Sequence, residues 1–136
     1  SGIGSFYSKK LFKDKKIIFI VIAVYAVILG ILNPVLFKAF ASYGLYLRII
    51  ISVILIFPLG FFMGMPFPSG LALINDEQKK FIPLAWGVNG FFSVIGTVSA
   101  MILAMTVGFK MVFIIAGLVY LLAMLLISSR LKLKTV

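Results

Sequence analysis

Two short stretches inside otherwise apolar sequence hold the groups that could do chemistry. FMGMPFPSG at 62–70 places Gly64, Pro66, Pro68, Ser69 and Gly70 close together, and IPLAWGVNG at 82–90 holds Trp86, Asn89 and Gly90, with Ser93 one turn further on. Proline in a helix interior removes a backbone donor and pushes away the carbonyl four residues back, at a cost of about 3 kcal/mol or more. Pro66 and Pro68 therefore disturb the carbonyls of Phe62 and Gly64. In hydrocarbon such groups need a partner in protein or a wet cavity. Counted outward from the middle of the NDEQKK loop at 75–80, Pro68 and Asn89 fall at nearly one depth.

That arrangement supports two kinds of chemistry. A half-helix beginning near Pro68 and running to about Asn75 would offer backbone N–H groups and partial positive charge to an anionic part of a substrate, with Ser69 beside it. Alternatively the break is a structural kink, and Asn89 is neutral glue whose amide donates to the carbonyl of Phe62 or Gly64, with Gly87 and Gly90 allowing close approach. Both readings stand at this level.

Other chemistries are excluded by what the chain lacks. It has no cysteine and no histidine, so thiolate and imidazole chemistry and the common zinc and haem sites are absent. No catalytic residue is nominated, and neither a metal nor a cofactor is expected. The only acids are Asp14, Asp76 and Glu77, and every charged residue lies at or beyond the end of an apolar run. A proton-coupled carrier would need an ionisable group at membrane depth.

The elements that position these residues are read from hydropathy. Hydrophobic residues make up 63% of the chain and charged ones 12%, against about 45–50% and 25% in soluble proteins. Four runs, at about 17–37, 49–74, 81–108 and 111–128, approach or exceed the roughly 17–25 residues that a tilted helix needs to cross about 30 Å of hydrocarbon. The expected fold is all-α, a single integral membrane domain of four transmembrane helices with the second broken near 64–68. The opening SGIG carries no initiator Met, and a fragment of a larger protein is expected.

Ten of the thirteen Lys and Arg residues fall in the N-terminal segment, the 75–80 loop and the C-terminus, leaving Lys38, Arg48 and Lys110 on the other side. Retention of positive charge in the cytoplasm then places both termini there, in a cell (inner) membrane. Because these basic residues flank spans rather than form a stripe, the net charge of +10 points to a lipid bilayer as partner and not to nucleic acid.

Small residues at helical spacing mark two packing faces: Ala23, Ala26 and Gly30 with Asn33 in the first span, and Gly96, Ala100 and Ala104 beside Ser93 and Thr97 in the third. Substitution of Gly96 by Leu is expected to disrupt assembly or stability in detergent. Gly108 is expected as a left-handed cap between the third and fourth spans, which must be antiparallel neighbours. The fourth span, with Gly117 and Tyr120 as its exceptions, reads as a wall offering no chemistry.

Pro58-Leu59-Gly60, Met63-Gly64-Met65-Pro66-Phe67-Pro68 with Gly70, and Ala85-Trp86-Gly87-Val88-Asn89-Gly90 with Ser93-Val94 and Gly96 resemble the membrane portion of spermidine synthase-like integral membrane proteins, the fused major-facilitator/spermidine-synthase family. The resemblance covers about residues 58–110. It implies helices that anchor or serve a soluble synthase-like domain, which in the family carries a glycine-rich nucleotide-binding turn and acidic residues for a polyamine. Neither feature is in this chain. The opening GIGSFYSKKLFKDKK also resembles the glycine-then-basic loop after the second helix of a six-helix major-facilitator half, without the acidic residue of that pattern. This implies the alternatives of a half or subunit of a small-molecule transporter, or a purely structural membrane subunit. The partners so implied are the synthase-like domain, further transmembrane helices or another copy of the chain.

Overall fold

The computed structural model describes residues 1–8, 15–72 and 74–133. Of the basic residues counted above, Lys9, Lys10, Lys13 and Lys134 lie outside the described residues. The fold is all-α: α1 (Gly2–Tyr7), α2 (Lys15–Phe40), α3 (Leu45–Met63), α4 (Pro66–Leu71), a 3-10 turn at Asp76–Phe81, α5 (Ile82–Thr106) and α6 (Phe109–Leu133). Among the described residues four stretches are long and apolar enough to span a membrane: Lys16–Phe40, Leu45–Leu71, Asp76–Thr106 and Phe109–Ser128.

The first span exceeds its expected bounds, continuing through Lys38 to Phe40, because a lysine near a helix end can bury its stem and direct its ammonium toward the interface. The second is divided as the prolines require. Helix α3 stops at Met63, Gly64 and Met65 form the link, and α4 begins at Pro66. Pro34 and Pro58 are accommodated inside α2 and α3 without a break. Gly108, at φ +88°, lets Val107 and Phe109 reverse the chain in a single step and is the sole positive-φ residue described.

Helix α2 is the centre of the bundle. It packs along α6 and more briefly on α3 and α4, whereas α5 packs mainly on α6. Ile18, Ile22, Ala26 and Leu29 of α2 form the core with Leu59 of α3 and Met65 of the link. The contact between α2 and α6 is made close by small residues on both sides. A Cβ on Gly30 would come within 2.8 Å of the Phe113 Cβ, and one on Gly117 within 3.1 Å of the Ala23 carbonyl oxygen. Where apolar lipid replaces water, such close packing, rather than the hydrophobic effect, holds helices together. The Tyr25 hydroxyl adds a bond across to α3, donating to the Leu55 carbonyl at 2.9 Å.

Candidate ligand cavity at the helix break

The break closes largely on itself. The Phe62 carbonyl, deprived by Pro66 of its usual partner, accepts the Met65 N–H at 3.0 Å, and the Gly64 N–H donates to Phe61 at 3.3 Å. These tighter three-residue bonds replace the lost four-residue ones, a common ending of helices. The outer side of the elbow is covered by α1. Its backbone lies so near that a Cβ on Gly4 would overlap the Phe61 carbonyl, and one on Gly64 would overlap the Ser1 carbonyl.

The expected bond from Asn89 to Phe62 or Gly64 is therefore replaced. The Asn89 amide makes no hydrogen bond among the described residues, and its backbone carbonyl accepts the Ser93 hydroxyl at 2.7 Å. The physical reason is local: the Met65 N–H reaches Phe62 first. Gly87 and Gly90 do not admit another backbone either, since a Cβ on each would meet open space. The expected anion-holding half-helix also needs correction. Helix α4 has only six residues, with Pro66 and Pro68 at two of its first three positions, and the Ser69 N–H is bonded to Met65. The prolines that make the break remove most of the donors that an anion would use.

What the break creates is a cavity of about 470 Å³ between α4, α5 and α6. Met63, Pro66, Phe67, Gly70, Leu71 and Ile74 line it on one side, and Ala85, Asn89 and Tyr120 on the other. Phe67 meets the Trp86 ring edge-on at 4.7 Å between centroids, clamping α4 to the start of α5. The described lining carries no acid, lysine or arginine. Its polar side chains are the Asn89 amide and the Tyr120 hydroxyl, neither hydrogen-bonded among the described residues. A site of this size, apolar apart from two neutral hydrogen-bonding groups, suits a small uncharged or weakly polar molecule, since a bare charge there would go without compensation.

Of the sequence-nominated residues, Pro66, Gly70 and Asn89 line the cavity, Trp86 stands behind it, and Gly64 forms the hinge. Pro68 and Ser69 are not among the lining residues, and Ser69 is buried elsewhere. Gly90 and Ser93 are exposed along α5, where Ser93 and Thr97 return their hydroxyls to carbonyls of their own helix. Tyr120 is the polar lining residue that the sequence did not nominate, beside the apolar Leu71 and Ile74. Its being the one hydroxyl amid the apolar middle of α6 was the available signal. The two small-residue faces also divide: Ala23, Ala26 and Gly30 are buried, whereas Gly96 is open and Ala100 and Ala104 are only half-buried.

No family model matches this sequence, and no curated protein and no solved structure is found similar to it.

Proposed function

We propose that this chain is a membrane-embedded helical domain that holds a small, uncharged or weakly polar molecule at the break in its second span and presents it to a soluble synthase-like domain. The single observation behind this reading is the cavity formed by α4, α5 and α6, whose polar side chains among the described residues are Asn89 and Tyr120, neither hydrogen-bonded among them. The soluble partner rests on the resemblance of the 58–110 segment. With positive charge retained inside, both termini and the 75–80 turn face the cytoplasm, so the cavity opens in the cytoplasmic half of a cell membrane. No residue of the chain is assigned catalysis. The reading requires a synthase-like domain encoded in the same or an adjoining frame.

A transporter half is the second reading, favoured by the discontinuous span itself, the form in which transporters place substrate sites. An uncharged lining favours an uncoupled or lipid-type substrate over proton antiport.

The absence of native cysteine makes the test clean. In sealed vesicles, cysteines at Ser42 and Gln78 should label from opposite faces. A cysteine at Asn89 should react with a membrane-impermeant thiol reagent from the Gln78 side, and one at Met105, 82% exposed and facing lipid, should not. Labelling of Ser42→Cys and Gln78→Cys from one face would refute the four-span arrangement. A thiol at 89 that is closed to both faces would refute the cavity's cytoplasmic access.

A further inference from the structure

A second groove, of about 790 Å³, lies between α2, α3 and the start of α6 at the end of the bundle away from the break. Its walls are bulky and apolar, with Phe37, Phe40, Phe109 and Phe113 prominent, and three polar side chains interrupt them: Asn33, Arg48 and Ser52. The Ser52 hydroxyl is engaged in its own helix, donating to the Arg48 carbonyl at 2.8 Å. The other two are unused. Asn33 is half-buried with no hydrogen bond for its amide among the described residues, and Arg48 has no ion-pair partner among them.

Among the described residues no carboxylate lies where it could supply one. Asp76 and Glu77 sit in the turn at the opposite end of spans about 40 Å long. Lys38 and Lys110 flank the same end as Arg48, which therefore carries three cations and no acid in the sequence between 38 and 48 or between 107 and 110. The groove end is electrostatically incomplete and calls for an anion from outside.

We propose that this groove seats one acyl chain of an anionic glycerophospholipid, with the lipid phosphate on the Arg48 guanidinium and the Asn33 amide donating to an ester carbonyl. The dimensions agree. From Phe40 to Leu29 the groove follows α2 for about 16 Å, close to the roughly 15 Å of hydrocarbon in one leaflet. Arg48 lies about 5 Å in from the start of α3, while Asn33 lies about 10 Å in from the end of α2, the order in which a lipid's phosphate and ester groups occur. A planar, permanently charged fork binds phosphate in two-point fashion. A flexible chain also fits the wall better than another helix would, because helices in lipid pack through small residues and this wall is built of Phe, Leu and Ile.

The test is native mass spectrometry of the purified chain in mild detergent, with dioleoyl phosphatidylglycerol, dioleoyl phosphatidylcholine or inorganic phosphate added. One phosphatidylglycerol should be retained per chain, in preference to phosphatidylcholine, and Arg48→Gln should weaken retention by about tenfold or more. Lys110→Gln, outside the groove, should change it less than about twofold. Should Arg48→Gln fail to fold, Arg48→Lys decides: loss of the fork with charge kept should still weaken retention measurably. Equal retention of the two lipids, indifference to both Arg48 substitutions, or displacement of the retained phosphatidylglycerol by inorganic phosphate alone would each overturn the proposal.

Discussion

Helices α2 and α5 carry the same sequence device and use it differently. Each spaces small residues by three or four along one face. In α2 that face is buried: Ala23 and Ala26 are 1% and 2% exposed, and Gly30 lies against Phe113 and the Lys110 carbonyl. In α5 a Cβ on Gly96 would meet nothing, and no residue of the helix is fully buried. A small-residue stripe is therefore permission for close approach and not evidence of it. What decides is whether a neighbour brings a matching face: α6 supplies Gly117 to α2, whereas its contact with α5 is much briefer and leaves Ala100, Leu103 and Ala104 only half-buried.

The difference is testable by filling both faces. The largest effect is expected at Gly30→Leu, where the clash is with a Cβ and a backbone carbonyl that cannot swing aside. We expect a loss of about 3 kcal/mol in reversible unfolding in detergent micelles, with Trp86, the only tryptophan, as reporter. A loss under about 1 kcal/mol would mean that α2 and α6 are less closely packed than the geometry states. Next comes the elbow, where Gly4→Val should undock α1 without unfolding the bundle. A cysteine at Ser8, a position only 2% exposed, should be protected in the parent and reactive once Gly4 is replaced; equal protection in both would contradict the contact between Gly4 and Phe61.

Smaller still is Tyr25→Phe, which removes one interhelical hydrogen bond and should cost about 0.6 kcal/mol, within a ceiling near 1.7. Gly96→Leu should fall within about 0.5 kcal/mol, the range of changes that touch nothing. This reverses the expectation from spacing. A destabilisation at Gly96 as large as at Gly30 would show that α5 packs on a partner through that face.

The parts legible in the sequence were those governed by local rules. Span length follows from the length of an apolar run, the α3–α4 break from Pro66 and Pro68, and the α5–α6 reversal from Gly108, which alone among the described residues takes a positive φ. The candidate site was legible only in outline. Depth counting set Pro68 level with Asn89, and Asn89 does line the cavity with Pro66 and Gly70 while Pro68 does not; the count could not show that the Met65 N–H would satisfy Phe62 and leave the Asn89 amide without a bond among the described residues. Nor could it show Tyr120 facing that cavity, or Tyr25 finding Leu55, since both depend on α6 and α3 flanking α2, an ordering that no single helix encodes.

The same contrast bears on the two polar residues most alike in sequence setting. Tyr25 spends its hydroxyl on holding α2 to α3, whereas the Asn89 amide makes no bond between helices among the described residues and lines the cavity. Their substitutions should accordingly separate structural from ligand-facing polarity. The most direct measurement is the unfolding midpoint of Asn89→Leu in detergent, beside Tyr25→Phe as the positive control. An unchanged or slightly raised midpoint for Asn89→Leu, with a loss for Tyr25→Phe, is the expected result. A loss at Asn89 of about 0.6–1.7 kcal/mol, the worth of an interhelical hydrogen bond in a membrane, would contradict it and return Asn89 to the role of glue across the break.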